Sequence, residues 1–231
     1  MKLYENSNMK LYIDTGNIDE IEKALSLKLI DGITTNPSLI LKEGKNFKDL
    51  LKKIDSLLKK YAVSKDFTVS AEVTASDSKG MFSQGKELAS LSKFIIVKVP
   101  LNEEGLLAVR LLSAKGIRTN VTLCFSVNQA LLAAKAGAFI VSPFVGRLND
   151  IGQGGMQLLE DIKKVYTYYG FKTQILGASI RDTKQVSDAS LLGIDIVTVP
   201  SKVLFSLMSH ELTTKGIEKF NQDWESYLKQ I

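Results

Sequence analysis

The chain has 231 residues, 45% of them hydrophobic, and a formal net charge of +5. This length and apolar content suffice for one large core and fit a single α/β barrel. The single cysteine, Cys124, excludes a disulfide framework and a multi-cysteine metal site, so we expect a reducing, cytoplasmic setting. We expect neither a membrane span nor a signal peptide, because no apolar run approaches about 18 residues and residues 1–8 lack an apolar core.

Short apolar runs alternate with amphipathic segments along the chain, which is typical of βα units. Eight such units predict an α/β fold of the (β/α)8 TIM-barrel type with an extra C-terminal helix. A doubly wound open sheet is the alternative, but it usually has fewer strands at this size. The predicted strands are 10–14, 32–35, 68–74, 94–99, 117–123, 138–142, 173–178 and 195–199. The predicted helices are 18–28, 46–60, 77–91, 103–115, 127–136, 154–169, 183–192, 201–209 and 216–229.

No linker or break in composition divides the chain, so we expect residues 9–231 to form one barrel domain that includes the helix 216–229. Residues 1–4 and 9–12 both read MKLY. We interpret residues 1–8 as an N-terminal extension, either an alternative start or a cloning remnant. The last helix has two interpretations, packing on its own barrel or contact with another subunit.

One lysine interrupts an apolar strand, because residues 94–100 read FIIVKVP. Such a run is typical of a strand that is buried on both faces of a parallel sheet. An ammonium group is costly to bury, so Lys98 must be paired, be neutral or extend to an edge. The neutral amine is a nucleophile that forms Schiff bases with carbonyl substrates. The competing interpretation is a lysine without a catalytic role that is salt-bridged or extends to an edge.

Polar side chains recur near the carboxyl ends of the predicted strands and share a face, because residues two apart point the same way. Active sites of (β/α)8 barrels form at this end. The alternative is that these residues only cap neighbouring loops, which would account for two or three of them. The residues concerned are Asp14, Thr34, Asn36, Ser70, Glu72, Thr74, Lys98, Asn120, Thr122, Ser142, Ser179 and Arg181.

Seven short motifs lie at or near these strand ends: IDTGN at 13–17, GITTNPS at 32–38, SAEV at 70–73, VKVP at 97–100, TNVTL at 119–123, SPFVGR at 142–147 and GASIR at 177–181. In combination they resemble the transaldolase family, specifically its small branch shared with fructose-6-phosphate aldolase. The likeness covers residues 9–228, and it implies a (β/α)8 barrel that assembles as a homo-oligomer, a pentamer or a decamer, through its C-terminal helix.

The resemblance implies a Schiff-base mechanism without a cofactor or a metal. Lys98 would attack the ketone of a sugar phosphate, and Asp14 would take and return the proton of the C4 hydroxyl. Glu72 and Thr122 would hold the water that carries protons during imine formation. The implied substrate-binding residues are Asn36, Asn120 and Ser142 for hydroxyl groups, Phe144 in the pocket wall, and Arg147, Ser179 and Arg181 for the phosphate.

The resemblance leaves two reactions to separate. A transaldolase moves a dihydroxyacetone unit from sedoheptulose 7-phosphate to glyceraldehyde 3-phosphate, giving erythrose 4-phosphate and fructose 6-phosphate in the non-oxidative pentose phosphate pathway. Fructose-6-phosphate aldolase members carry tyrosine at the position of Phe144 and glutamine at that of Glu72. Both residues of this chain therefore favour transfer.

Two other interpretations of the function assign the chain to different classes of protein. A catalytically silent barrel could bind polyanions such as RNA through its lysine-rich surface. A deoxyribose-phosphate-type aldolase is a third candidate, although its characteristic paired lysines are not evident. We expect sugar phosphates as substrates, with neither nucleic acid nor a membrane as a partner.

Only four of the 30 basic residues are arginines. Where lysine is the usual cation, an arginine suits a role that depends on its planar shape, such as a bidentate contact with a phosphate.

Overall fold

The computed structural model describes residues 9–44 and 46–231; the extension at 1–8 lies outside them. Eight parallel strands close into a barrel in chain order, which confirms the predicted (β/α)8 fold. The strands are β1 (Lys10–Asp14), β2 (Gly32–Thr34), β3 (Thr68–Glu72), β4 (Ile95–Pro100), β5 (Thr119–Cys124), β6 (Ile140–Pro143), β7 (Gln174–Gly177) and β8 (Ile196–Val199).

Helices surround the barrel, and none in the described part of the chain is long and apolar enough to cross a membrane. Two of them, α2 and α7, are additions to the predicted set. The helices are α1 (Ile18–Ser26), α2 (Pro37–Glu43), α3 (Phe47–Lys60), α4 (Ser78–Leu91), α5 (Glu103–Ser113), α6 (Val127–Ala136), α7 (Val145–Asp150), α8 (Gly155–Tyr169), α9 (Thr183–Leu191), α10 (Ser201–Ser206) and α11 (Glu211–Leu228).

The C-terminal helix α11 begins at Glu211, which corrects the predicted range 216–229. The imidazole Nδ1 of His210 accepts a hydrogen bond from the backbone N–H of Leu212 at 3.1 Å and caps the helix there. Gly216 is therefore inside the helix, where it costs about 1 kcal/mol relative to alanine.

Large apolar side chains fill the barrel interior below its carboxyl-terminal end. They are Tyr12, Ile96, Ile140, Leu176 and Ile196, and the small side chain of Ala178 packs on this cluster from above. Gly32 makes room for the ring of Tyr12, because a Cβ at this position would lie 2.5 Å from the ring. The Tyr12 hydroxyl is 2.7 Å from Thr68 Oγ1. This packing closes the lower interior and leaves the opposite end for polar groups.

The strand register stacks the inward side chains in layers, as expected for this fold. Asp14 pairs with Thr34, Glu72 with Lys98, and Pro100 with Thr122. The even-numbered strands thus supply one layer and the odd-numbered strands the layer above it. The lower layer contains Thr34, Lys98, Ser142 and Thr198, and the upper layer contains Asp14, Glu72, Thr122 and Ala178.

Candidate active site

A cavity of about 130 Å³ opens at the carboxyl-terminal end of the barrel. Its walls come from strands β1, β2 and β4 to β8 and from the segments that follow them, so side chains distant in sequence converge there. The lining residues are Asp14, Thr34, Asn36, Lys98, Thr122, Ser142, Phe144, Arg147, Leu176, Ala178, Ser179 and Thr198.

Lys98 is held by two acceptors at the cavity wall. Its Nζ lies 3.1 Å from Glu72 Oε2, and the two side chains are only 7% and 13% exposed. The same nitrogen donates a hydrogen bond to the backbone carbonyl of Thr35 at 3.0 Å. A buried ammonium group requires such partners to offset its lost hydration. The lysine of the apolar strand is therefore paired, and it does not extend to the surface.

Asp14 ends β1 beside this lysine. Thr34 Oγ1 donates a hydrogen bond to Asp14 Oδ1 at 2.7 Å, and it also lies 2.7 Å from Thr198 Oγ1. Burial raises the pKa of the Asp14 carboxyl above its usual value, while the bond from Thr34 and the charge of Lys98 oppose that rise. A carboxylate with a raised pKa is suited to exchange protons with a substrate.

A hydrogen-bonded chain of three side chains supports the β5–β6 side of the cavity. Asn120 donates from Nδ2 to Ser70 Oγ at 3.0 Å, and its Oδ1 accepts from Ser142 Oγ at 2.6 Å. Asn120 lies beneath the lining, where it fixes the hydroxyl of Ser142. Thr122 Oγ1 is buried in the lining and has no hydrogen-bond partner among residues 9–44 and 46–231. A water or a substrate hydroxyl could satisfy it.

Asn36 has a structural role as well as a place in the cavity lining. Its Oδ1 caps α2 by accepting from the backbone N–H of Leu39 at 3.0 Å. Pro37 follows at the first helical position, which favours helix initiation. The cap leaves the Nδ2 group of Asn36 available to a ligand.

The short helix α7 carries Arg147 to the cavity. The guanidinium group of Arg147 lies 4.9 Å from the ring centroid of Phe144, a cation–π distance. Phe144 also contacts Phe125, with ring centroids 5.7 Å apart. The wall at Phe144 is therefore a hydrocarbon ring held between two neighbours.

Ser179 and Arg181 follow β7, and only Ser179 lines the cavity. Arg181 instead makes a bidentate ion pair with Asp150 at the end of α7, and both side chains are about half exposed. Gly146 permits this close approach, because a Cβ there would lie 2.2 Å from the Ser179 carbonyl oxygen and 2.8 Å from Arg181 Nε.

Comparisons with known proteins identify the family of this chain. A family model described as transaldolase/fructose-6-phosphate aldolase matches residues 11–231. A probable transaldolase of Methanococcus maripaludis strain C6 is 48% identical over 96% of this chain and 100% of its own length. One of Anaeromyxobacter dehalogenans is 50% identical over 96% of this chain and 99% of its own. The chain belongs to the transaldolase/fructose-6-phosphate aldolase family.

The fold is shared more widely than the family. The structure of a thiamine phosphate pyrophosphorylase from Pyrococcus furiosus superposes with a TM-score of 0.59 at 16% identity. The match covers 86% of this chain and 88% of that one. At this identity the likeness concerns the barrel alone.

Membership of the transaldolase/fructose-6-phosphate aldolase family confirms the predicted resemblance, and this chain is an enzyme of that family.

The structure brings nine of the eleven predicted site residues to this cavity. Eight of them line it, and Glu72 contacts Lys98 in its wall. Asn120 lies beneath it, and Arg181 is engaged with Asp150. Among residues 9–44 and 46–231, no group of three or more His, Cys, Asp or Glu side chains could hold a metal ion.

Two polar residues at or beside the cavity were not among those predicted from the sequence, and neither were the apolar lining residues Leu176 and Ala178. Thr198 is the one polar residue of β8 and has inward parity, so the strand pattern contained the signal. Asp150 carried no signal, because its contact with Arg181 depends on α7, a helix too short to show a periodic pattern.

Proposed function

We propose that this enzyme is a transaldolase of the non-oxidative pentose phosphate pathway. It would transfer a dihydroxyacetone unit from sedoheptulose 7-phosphate to glyceraldehyde 3-phosphate, releasing erythrose 4-phosphate and fructose 6-phosphate. The observation that carries the proposal is the buried amine of Lys98 in the same cavity as Asp14, in a chain of this family.

Imine formation begins when Lys98 is neutral. Glu72 Oε2, at 3.1 Å, is placed to take its proton. The lone pair left on the nitrogen first faces the new Glu72 hydroxyl, and rotation about the Cε–Nζ bond turns it to the substrate ketone while one N–H still faces the Thr35 carbonyl. Addition gives a carbinolamine, and loss of water gives the imine. The unpartnered Thr122 hydroxyl is available to hold that water.

Cleavage follows from the imine, which acts as an electron sink. Asp14 takes the proton of the C4 hydroxyl, the C3–C4 bond breaks, and its electron pair enters the imine to give an enamine on Lys98. The aldose phosphate leaves. The enamine carbon then attacks the acceptor aldehyde, and Asp14 returns its proton to the new hydroxyl. Water finally hydrolyses the imine and restores the lysine.

Substrate hydroxyls and the phosphate use different parts of the cavity. Asn36 and Ser142 are placed to bind the hydroxyls of the three-carbon unit, with Asn120 orienting Ser142. Arg147 and Ser179, which also line the cavity, would bind the phosphate. Arg181 would join them by exchanging the carboxylate of Asp150 for a phosphate oxygen, since both anions suit its planar fork.

Fructose-6-phosphate aldolase is the second candidate, because it shares the imine chemistry and the family. An aldolase must protonate the enamine to release free dihydroxyacetone. Phe144 supplies no hydroxyl to orient a proton donor at its part of the wall, so the enamine would persist until an aldehyde arrives. This feature supports transfer over simple cleavage.

Reductive trapping tests the proposed mechanism. The enzyme is incubated with fructose 6-phosphate and sodium borohydride and then digested for peptide mass mapping. We expect a reduced three-carbon adduct on Lys98 and none in a Lys98→Met variant that unfolds at the same temperature as the wild type. An adduct on another lysine, or no adduct with turnover intact, would reject Lys98 as the nucleophile.

We further propose that the enzyme is a homo-oligomer assembled through α11. The helix carries an apolar stripe of four residues that are between 50% and 73% exposed: Ile217, Phe220, Trp224 and Tyr227. Exposed apolar patches of this kind are typical of protein interfaces.

A further inference from the structure

Three side chains from neighbouring strands form a hydroxyl–carboxylate chain at the cavity wall. Thr198 Oγ1 on β8 lies 2.7 Å from Thr34 Oγ1 on β2, and Thr34 Oγ1 lies 2.7 Å from Asp14 Oδ1 on β1. Both threonines are at most 3% exposed. β1 lies between the other two strands, so the two hydroxyls meet inside the barrel next to the carboxylate.

The chemistry of the groups fixes the direction of this chain. An ionised carboxylate only accepts hydrogen bonds, so the proton of Thr34 must point to Asp14. The remaining contact of Thr34 Oγ1 is then an accepting one, and Thr198 donates to it. A donor that is itself hydrogen-bonded is polarised and binds the next acceptor more strongly.

We propose that Thr34 and Thr198 are positioning residues that fix Asp14 Oδ1 and reserve Oδ2 for the C4 hydroxyl of the substrate. The inference rests on the proposed function, because it assigns proton transfer to Asp14. The proton taken from the substrate resides on Oδ2, while Thr34 continues to donate to Oδ1, so the carboxyl need not rotate between cleavage and addition. Threonine suits this use because its β-branch restricts the side-chain torsion.

Two cationic side chains share the cavity with Asp14. Lys98 on β4 faces it and is itself paired with Glu72, and Arg147 of α7 lines the same space. On the outer side of the β1 end, Glu20 of α1 accepts hydrogen bonds from Thr15 and Ser201, and Glu43 of α2 lies beside the amide of Asn17. The two hydrogen bonds to Glu20 are 2.6 Å long, and the one from Asn17 to Glu43 is 3.4 Å long. Thr34 is thus a neutral donor whose removal leaves these charges in place.

Valine variants test the chain, since valine keeps the branched shape and deletes the hydroxyl. Thr34→Val and Thr198→Val are compared with Thr34→Ser and Thr198→Ser, which restore it. Thr68→Val is the matched control, because Thr68 is an equally buried inward threonine whose hydroxyl makes a 2.7 Å bond to Tyr12, away from the cavity. The titration of Asp14 is followed by carbon NMR of isotopically labelled aspartate, with Asp14→Asn for assignment.

We expect the Asp14 titration midpoint to move to higher pH in Thr34→Val, because a hydrogen bond to the ionised form is lost. The same change should be smaller in Thr198→Val. Turnover should fall roughly tenfold to a hundredfold in Thr34→Val, with a change in KM of less than about threefold. Both serine variants should return the midpoint and turnover close to wild-type values, and Thr68→Val should change neither.

An unmoved midpoint in both valine variants would overturn the positioning role, and so would an equal shift in Thr68→Val. If Thr34→Val fails to fold, the Thr198→Val and Thr198→Ser pair decides, since the Thr198 hydroxyl is hydrogen-bonded to Thr34 and reaches Asp14 only through it. Failure of the positioning role can be told apart from failure of the proposed function. Imine formation does not require Asp14, so a reduced adduct on Lys98 should still form in Thr34→Val, whereas its absence in the wild type would count against the mechanism itself.

Discussion

The cavity wall at Phe144 is a hydrocarbon ring, and two neighbouring side chains hold this ring in position. Phe125 packs against one part of it and Arg147 lies over its face. A phenolic hydroxyl added at the para position would introduce a proton donor and acceptor where the wild type has neither. In the proposed reaction, the lifetime of the enamine depends on the absence of such a group.

Phe144→Tyr is therefore expected to raise the release of free dihydroxyacetone from fructose 6-phosphate relative to transfer. The expected rise in this ratio is about tenfold or more, as for proton transfers assisted by a positioned side chain. The ratio is measured by enzymatic assay of dihydroxyacetone with and without an acceptor aldehyde. Phe125→Tyr is the matched control, because that neighbouring ring lies outside the cavity lining.

Two outcomes would contradict this account of Phe144. One is an unchanged ratio in a folded Phe144→Tyr protein. The other is rapid release of dihydroxyacetone by the wild type without an acceptor, which would make the enzyme an aldolase.

Lys98 shows how one residue can be predicted from its sequence context. A cation in an otherwise apolar strand indicated a special environment, and the structure supplies it in Glu72 and the Thr35 carbonyl. Parity placed Glu72 on the inward face of β3, but its contact with Lys98 depends on the register of β3 against β4. The sequence pattern alone does not define that register.

At the scale of elements, the strands were predictable and the short helices were not. All eight strands were expected within a few residues, because buried parallel strands read as apolar runs. The third strand ends at Glu72 and not at residue 74, since Gln84 Oε1 accepts from the backbone N–H of Thr74 and Ala75. That contact comes from α4 and is not visible in the local sequence.

Helices α2 and α7 were missed for different reasons. The start of α2 had a recognisable signal in Asn36 and Pro37, an N-cap followed by proline. Helix α7 has six residues and no side-chain cap, so neither periodicity nor capping marks it. Because α7 carries Arg147 and Asp150, this omission also concealed the ion pair with Arg181.

The packing of β1 against β2 makes a prediction about stability. In Gly32→Ala the new Cβ would lie 2.5 Å from the Tyr12 ring, which is fully buried and bonded to Thr68. The ring must shift, and we expect a loss of about 1–3 kcal/mol in the free energy of unfolding. Urea denaturation followed by circular dichroism measures it.

Gly177→Ala in β7 is the control for this substitution. Its Cβ would meet the nearest heavy atom, Leu159 Cδ1, at 3.4 Å, and no aromatic ring is among its three nearest neighbours. We expect a change of less than about 1 kcal/mol. Equal destabilisation by the two variants would show that the Tyr12 contact is not the cause.

In the whole molecule, apolar side chains fill one end of the barrel and the cavity opens at the other. The C-terminal helix α11 lies outside the barrel. Every residue of α11 except Gly216 is exposed. A helix with an apolar stripe gains most of its stability from tertiary or quaternary contacts. The stacked rings of Trp224 and Tyr227, 5.4 Å apart, give this stripe a continuous aromatic surface. A second copy of the chain is the partner that we propose.

Charges placed in the stripe should therefore dissociate the oligomer. We expect the wild type to sediment as a pentamer or a decamer and the Phe220→Glu/Trp224→Glu variant as a smaller species, because each buried aromatic contributes about 1.5–3 kcal/mol. Gln222→Glu/Ser226→Glu adds the same two negative charges, also four residues apart, on the opposite exposed face and should leave assembly unchanged. Sedimentation velocity over a range of protein concentrations measures all three. A monomeric wild type, or a Phe220→Glu/Trp224→Glu variant that assembles normally, would show that α11 does not join subunits. Neither result bears on the chemistry of Lys98, which the trapping experiment tests.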